Sequence, residues 1–108
     1  MNMNICIDDN RHLRKFFYQY ADYHTEILCD ISERLPSLLT LHNGKIKPVK
    51  YAKHHQLQVL EYKVVFDGCM ACRVAFTVDK HTIKVIFISD ILFKAQFCKL
   101  LAKTALLD

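Results

Sequence analysis

The residues best suited to chemistry are basic, and they are densest between residues 45 and 58. This stretch carries four lysines followed by two adjacent histidines: Lys45, Lys47, Lys50, Lys53, His54 and His55. Clustered positive charge is enough to attract nucleic-acid phosphates, and the net charge of +4 agrees with an anionic partner. The stretch has no apolar periodicity and contains Pro48, so we predict a long, mostly exposed connection. It is either a solvated loop or a nucleic-acid contact.

The thiols form a second pattern, a CxxC at Cys69-Met70-Ala71-Cys72. A zinc ribbon needs two such pairs, and the other three cysteines are isolated in the sequence. A redox CxxC begins a helix, whereas this one falls in a predicted β-hairpin. We therefore predict that Cys72 lies in the core and Cys69 in a turn, with no metal and no cofactor.

The imidazoles form a third pattern. His54 and His55 could act as an acid–base set with His81 or Glu61, since histidine is the commonest proton-transfer group in catalysis. Nothing in the sequence fixes the geometry of such a set. Exposed loop histidines are therefore the favoured interpretation.

The elements that position these residues begin with a predicted three-stranded meander between Val59 and Ile91. In each of three successive runs, apolar side chains alternate with more polar ones, which is the period of a β-strand. The more apolar alternate sets begin at Leu60, Cys72 and Ile83. We predict that these sets pack against helices.

The turns of the meander determine which residues share a face. A tight turn at Lys80-His81 sets the second hairpin. Its predicted cross-strand pairs are Val78 with Ile83, Phe76 with Val85 and Val74 with Phe87. The first hairpin needs an odd loop of three or five residues around Asp67-Gly68, because both of its strands must turn their apolar sets to one side. The opposite face then brings Lys63 and Arg73 together beside Glu61, and this partly apolar face needs a partner or a covering helix.

Two helices are predicted before the meander. Apolar residues recur at steps of three and four from Leu13 to Leu35. One unbroken helix would be too long for so small a domain, so we predict a break between Tyr20 and Thr25. Pro36 either bends the second helix or starts a new turn, and Asn43-Gly44 ends the helical region.

The remaining elements are predicted at the two ends of the chain. A short strand, Met3–Ile7, precedes the first helix, which Asp8, Asp9 or Asn10 caps. Asp90 is predicted to cap a last helix. That helix crosses either the sheet edge or part of the face that bears the basic pair.

Together these elements predict an α+β fold: an antiparallel sheet, made of the meander and the N-terminal strand, packed on two N-terminal helices and followed by a short C-terminal helix. With 108 residues, of which 52% are apolar and 24% charged, the chain is expected to form a single domain over residues 1–108. No apolar run is long enough for a transmembrane helix, and the start does not read as a signal peptide. We therefore expect a cytoplasmic protein without a membrane partner.

Two predicted strands carry short motifs, Leu60-Glu61-Tyr62-Lys63 and Cys72-Arg73-Val74-Ala75-Phe76. With the order β-α-α-β-β-β-α, they resemble the RelE/ParE superfamily of bacterial toxins, including its HigB branch. The first motif is similar to the family's L-x-E-L-R-type strand and the second to its Y-R-V-x-F strand. The segment from Ile83 to Lys94 is similar to the closing strand, which leads to a basic residue. The resemblance runs from about Leu13 to Leu101 and implies a RelE-like fold.

The resemblance also implies a function. Members of this family pair with a protein antitoxin; many cleave mRNA in the ribosomal A site without a metal, and the ParE branch acts on DNA gyrase instead. Basic residues stabilise charge on the phosphate as the ribose 2′-hydroxyl attacks. By position, the resemblance gives this catalytic role to Arg73, Lys63 and Lys94. We predict that five further lysines bind RNA: Lys45, Lys47, Lys50, Lys53 and Lys84.

The chain departs from the family pattern at several positions. Lys63 stands where Arg is common and lacks its planar fork, and Ser89-Asp90 stands where His or Gly is common. No Tyr follows Tyr62, although some members use a C-terminal catalytic Tyr. Arg73 either binds phosphate or only pairs with Glu61 across the sheet. A non-enzymatic binding protein of the same fold, directed at gyrase or phage-derived and inactive, is therefore the alternative function.

Overall fold

The computed structural model describes residues 3–66, 68 and 70–108 and shows in them an α+β fold, as the sequence predicts. The strands are β1 (Asn4–Ile7), β2 (Lys47–His54), β3 (Leu57–Phe66), β4 (Met70–Asp79) and β5 (Thr82–Ser89). The helices are α1 (Arg11–Gln19), α2 (His24–Leu41) and α3 (Lys94–Ala102), with a 3-10 turn at Ala21–Tyr23. No helix in this described part of the chain is long and apolar enough to cross a membrane.

The strands form one sheet in the order β1-β5-β4-β3-β2. β1 runs parallel to β5, so the predicted antiparallel sheet is wrong for the N-terminal strand. The other neighbouring strands are antiparallel. The predicted N-terminal strand and the meander β3-β4-β5 are confirmed. Residues 45–58 are mostly exposed, as predicted. The prediction that they form a long connection is wrong, because this segment forms β2 and the start of β3.

β2 lacks the regular alternation by which a strand is recognised in a sequence. Its pairing with β3 shifts between Pro48 and Lys53, and its buried residues are Val49, Ala52 and His54. The steps of three and two between these buried positions break the period of two, as a bulge does. Pro and Lys suit an edge strand, and β2 lies at the edge of the sheet.

α1 and α2 pack on one face of the sheet. Their residues in this core are Leu13, Phe16, Ile27, Ile31, Leu35 and Leu38. They cover the alternate set that begins at Leu60, Cys72 and Ile83, so the predicted helix-packed face is confirmed over most of its length. It is wrong at the end of β5, where Ile88 and not Phe87 faces the helices. The 3-10 turn lies at the predicted break between Tyr20 and Thr25, and α2 continues through Pro36 to its end.

Local interactions determine where α1 begins and where α2 ends. The Oδ1 atom of Asn10 accepts a hydrogen bond from the Leu13 N–H at 3.0 Å, so Asn10 is the cap among the three predicted candidates. α2 ends at Leu41, its C-cap residue His42 has a left-handed φ of 51°, and Gly44 follows with a φ of 81°. The helical region therefore ends close to the predicted position.

α3 covers part of the other face of the sheet, where Phe97 and Leu101 are buried in a second core cluster. This is one of the two predicted positions for the last helix, over the face with the basic pair. The predicted cap is wrong, because Phe93 occupies the N-cap position. Asp90 instead accepts a hydrogen bond from the Tyr20 hydroxyl.

The first hairpin of the meander has the predicted odd loop. Phe66 pairs with Met70, so three residues connect β3 to β4. Two of the three, Asp67 and Cys69, lie outside the described residues, and so does part of the predicted Asp67-Gly68 turn. The register nevertheless turns the apolar sets of both strands to the same side.

The second hairpin follows the predicted register only near its turn. The confirmed pairs are Val78 with Ile83 and Phe76 with Val85. The predicted pair of Val74 with Phe87 is wrong, since Val74 pairs with Ile88 and Ala75 with Phe87. Ile86 is an extra residue that forms a bulge in β5. Both Ile86 and Phe87 are consequently buried in the second core cluster.

Candidate nucleic-acid interface

A pocket of about 490 Å³, which we call the basic cleft, opens between the end of α2, the sheet and the start of α3. Its described lining residues are Arg34, Gly44, Lys45, Lys47, Glu61, Lys63, Val65, Arg73 and Lys94. Among these described residues, six side chains are cationic and one is a carboxylate. The three residues predicted to be catalytic lie here, together with two of the five lysines predicted to bind RNA.

Strand periodicity and register bring the cleft residues together. Glu61 and Lys63 are two positions apart on β3, so their side chains share a face. Arg73 of β4 lies opposite Lys63, and Lys47 of β2 lies opposite Glu61. Lys94 is the first residue of α3, which packs on this same face.

Arg73 is anchored by two neighbours. Its Nη1 donates to both carboxylate oxygens of Glu61, at 2.7 and 3.1 Å, and its Nε donates to the Leu92 carbonyl oxygen at 2.6 Å. The side chain of Glu61 is 1% exposed and that of Arg73 is 17% exposed. Arg73 therefore pairs with Glu61 across the sheet, as one of the two interpretations predicts. Its contact with phosphate stays a prediction.

The lysines supply the accessible positive charge of the basic cleft. Lys45, Lys47 and Lys63 are exposed, and Lys94 is half-buried. No carboxylate among the described residues forms an ion pair with Lys45, Lys47 or Lys94. Ammonium groups of this kind bind phosphate as point charges, whereas part of the charge of Arg73 is already neutralised.

Arg34 is a cleft residue that the sequence reasoning missed. It pairs with Asp30 at 2.8 Å, donates to the Lys63 carbonyl oxygen at 2.9 Å and lies 5.4 Å from the centroid of the Tyr62 ring. The spacing of Asp30 and Arg34 predicts their pairing on a helix, but it does not predict a contact with β3. The Tyr62 hydroxyl donates to Asp30 at 2.9 Å, and burial, with the nearby Asp30 charge, raises the pKa of Tyr62. Asp30 therefore joins α2 to β3 through two side chains.

Two of the lysines predicted to bind RNA lie on β2 beyond the lining of the cleft. These are Lys50 and Lys53, and both are exposed. Lys47, which does line the cleft, is on the same strand. The three lysines therefore follow one edge of the sheet.

Lys84 lies away from the basic cleft. Its Nζ is 3.1 Å from Nε2 of His54 and 3.6 Å from Oδ1 of Asp8. His54 is buried with its Nδ1 atom 2.6 Å from the Leu106 carbonyl oxygen, so the prediction of an exposed loop histidine is wrong for His54. Burial alone would raise the pKa of Asp8, but the Asn10 hydrogen bond and the Lys84 charge lower it overall. Lys84 is thus engaged in a network within the fold, and its contact with RNA stays a prediction.

The thiols do not form a site in the part of the chain that the structure describes. Cys72 is fully buried in the core, as predicted, and burial raises the pKa of its thiol to about 12. Cys69 lies outside the described residues. Across residues 3–66, 68 and 70–108, no three His, Cys, Asp or Glu side chains lie together as metal ligands would.

The basic cleft has the charge needed to bind nucleic-acid phosphates. Cations placed around a phosphate also stabilise the negative charge that develops when the strand is cleaved. Comparisons with protein-family models, with curated proteins and with solved structures found no match for this chain. The function is therefore inferred from the cleft residues and from the strand motifs that carry them.

Proposed function

We propose that this chain is the toxin of a type II toxin–antitoxin system and that it cleaves ribosome-bound mRNA in the basic cleft. The observation that carries the proposal is the gathering of Lys63, Arg73 and Lys94 in one cleft. Lys63 and Arg73 lie on two strands and Lys94 lies on a helix. A separate short sequence motif predicts a catalytic role for each of them. The resemblance of β3 and β4 to RelE/ParE strands supports the same function.

In the proposed reaction, the ribose 2′-hydroxyl gives its proton to water and its oxygen bonds to the adjacent phosphorus. The bond from that phosphorus to the 5′-oxygen of the next nucleotide breaks, and this oxygen takes a proton from water, which leaves a 2′,3′-cyclic phosphate and a 5′-hydroxyl. Negative charge grows on the phosphate oxygens during the step. Lys63 and Lys94 stabilise that charge, and Arg73 adds a guanidinium whose orientation Glu61 holds. This stabilisation requires no metal.

The proposal includes a cognate antitoxin that covers the cleft until the toxin is released. The rim of the cleft supports this, because Phe93 directly precedes Lys94 and is 77% exposed. An exposed aromatic side chain beside a charged pocket is a common anchor for a protein partner. The remaining proposed partners are the ribosome and mRNA.

Replacement of the accessible lysines tests the catalytic role. Lys63→Ala and Lys94→Ala each remove a cation from the transition state, so each is expected to lower mRNA cleavage by roughly 100- to 1,000-fold and to relieve growth arrest. Cleavage is measured by primer extension on translating ribosomes, and growth arrest by induced expression in a bacterial host.

Lys99→Ala is the matched control, since Lys99 is exposed on α3 and does not line the cleft. This variant has the same change in net charge and is expected to remain toxic. If Lys63→Ala and Lys94→Ala both cleave mRNA as the unaltered protein does, the proposed catalytic role of the cleft is wrong.

A non-enzymatic toxin, such as one directed at DNA gyrase, is the second candidate. The observation that favours it is the engagement of Arg73 by Glu61 and by the Leu92 carbonyl oxygen, which leaves less of its charge for phosphate. This function predicts growth arrest without mRNA cleavage. An inactive phage-derived protein predicts neither effect.

A further inference from the structure

Strand β2 carries an aromatic residue in a strained and exposed position. Tyr51 has a φ of 63°, and its side chain is 100% exposed. A bulky side chain rarely adopts this left-handed backbone, which glycine and asparagine tolerate. Residues held in such conformations concentrate at functional sites, so Tyr51 is a candidate for a binding role.

A neighbouring side chain holds the backbone around Tyr51. The Nε2 amide of Gln58 lies within hydrogen-bond distance of the carbonyl oxygens of Val49, Ala52 and Val59, at 2.8, 3.1 and 3.0 Å, and its two N–H bonds are shared among them. Val49 and Ala52 are buried in the second core cluster. The chain is therefore fixed on both sides of Tyr51, and the bulge presents the ring outward on a rigid support.

Positive charge flanks this ring. Lys50 directly precedes Tyr51, Lys53 follows two positions later, and both are exposed. Lys47, four positions earlier on the same strand, lines the basic cleft. Four residues of strand span at most roughly 13 Å, so a short stretch of RNA can reach both Tyr51 and the cleft.

We propose that Tyr51 stacks on a base of single-stranded RNA while Lys50 and Lys53 contact the neighbouring phosphates. Proteins that bind single strands combine aromatic rings with a positively charged surface in this way. A double helix hides the faces of its bases, so the contact selects single-stranded RNA. The inference rests on the proposed function, in which RNA is the substrate, and adds a contact outside the cleft.

The test is fluorescence anisotropy with a short labelled single-stranded RNA and the corresponding duplex. Tyr51→Ala is expected to weaken binding of the single strand by about 5- to 100-fold, because the stacked ring is lost. Tyr51→Phe keeps the ring and is expected to bind within about twofold of the unaltered protein. Tyr18→Ala is the matched control: Tyr18 is 88% exposed on α1, and its removal is expected to leave the affinity unchanged.

Tyr51→Asn separates stacking from folding. Asparagine suits a positive φ, so this variant is expected to melt at the same temperature as the unaltered protein or higher. Its affinity for the single strand is expected to fall as that of Tyr51→Ala does. Loss of binding in a variant of undiminished stability is then due to the missing ring.

Three outcomes overturn the inference. If Tyr51→Ala and the unaltered protein bind the RNA with equal affinity, the stacking role of Tyr51 is wrong, but RNA binding by the basic cleft is not affected. Lys63→Ala tests binding by the cleft in the same assay. Equal affinity combined with loss of growth arrest in Tyr51→Ala assigns Tyr51 to a protein contact instead. No RNA binding by the unaltered protein overturns this inference alone, because the proposed function concerns mRNA on the ribosome and is tested by primer extension.

Discussion

The buried carboxylate of Glu61 is tolerated in the sheet because the guanidinium of Arg73 lies against it. Arg73→Ala leaves that carboxylate without its partner. We expect this variant to lower the free energy of unfolding by about 3 kcal/mol, since removing one member of a buried pair leaves an uncompensated charge. Urea unfolding, compared between the variant and the unaltered protein, measures the loss.

The double variant Glu61→Met with Arg73→Met is the control, because it removes both charges and keeps apolar volume. It is expected to be more stable than Arg73→Ala. If Arg73→Ala lowers stability by less than about 0.5 kcal/mol, the ion pair does not support the fold as described. Because Arg73→Ala is expected to be less stable, a loss of toxicity in this variant is interpreted together with its measured free energy of unfolding.

Residues of the candidate site differ in how far the sequence predicts their positions. Lys63 and Arg73 could be placed together because strand periodicity and an odd loop suffice to pair them. Lys84 could not be placed, since its partners Asp8 and His54 come from distant parts of the chain and no spacing encodes their meeting. The periodicity of a strand predicts which of its residues share a face, but it does not predict a contact with a residue from a distant part of the chain.

Among the elements, the start of α1 is joined to the bulge of β5 by hydrogen bonds from the Asn10 side chain. Asn10 caps α1 through Oδ1, and its Nδ2 donates to the Ile86 carbonyl oxygen at 2.9 Å. The same Nδ2 also donates to Oδ2 of Asp8 at 2.8 Å. Asn10→Ala removes all three bonds, so we expect it to lower the free energy of unfolding by about 1–3 kcal/mol. Urea unfolding measures this loss.

Two variants separate the bonds of Asn10. Asn10→Ser keeps a capping oxygen but loses the Nδ2 donor to Ile86 and Asp8, so its stability is expected to lie between those of Asn10→Ala and the unaltered protein. Asp9→Ala removes an exposed carboxylate one position earlier and is expected to change stability by less than about 0.5 kcal/mol. Equal losses in Asn10→Ala and Asp9→Ala would show that Asn10 has no special role.

The elements themselves were predictable where burial follows a regular period. The meander strands alternate cleanly, and the helices keep steps of three and four. β2 was missed because the bulge around Tyr51 shifts its buried positions and because its lysines suggest solvent. The bulge in β5 was missed because Ile86 and Phe87 are both apolar, so the sequence does not show which of them is the extra residue.

In the whole molecule, the sheet is covered by α1 and α2 on one face and in part by α3 on the other. Two ionisable side chains of the sheet, those of Cys72 and Tyr62, are buried beneath these helices. Burial raises the pKa of Cys72 to about 12 and also raises the pKa of Tyr62. The folded protein therefore keeps both groups protonated at pH values where the unfolded chain loses their protons.

This difference predicts that the protein becomes less stable in alkali. The ordinary pKa of the cysteine thiol is 9.0, so the stability contributed by protonated Cys72 is complete below pH 9.0 and is lost as the pH rises toward 12. Tyr62 adds a loss of the same sign above its ordinary pKa of 10.0. Each group contributes a slope of up to about 1.4 kcal/mol per pH unit, measured by urea unfolding between about pH 7 and about pH 10.5.

Cys72→Ala is expected to be less stable near neutral pH, because it leaves a cavity, but to decline less steeply above pH 9.0. An identical slope in Cys72→Ala and the unaltered protein would mean that Cys72 does not govern the alkaline transition.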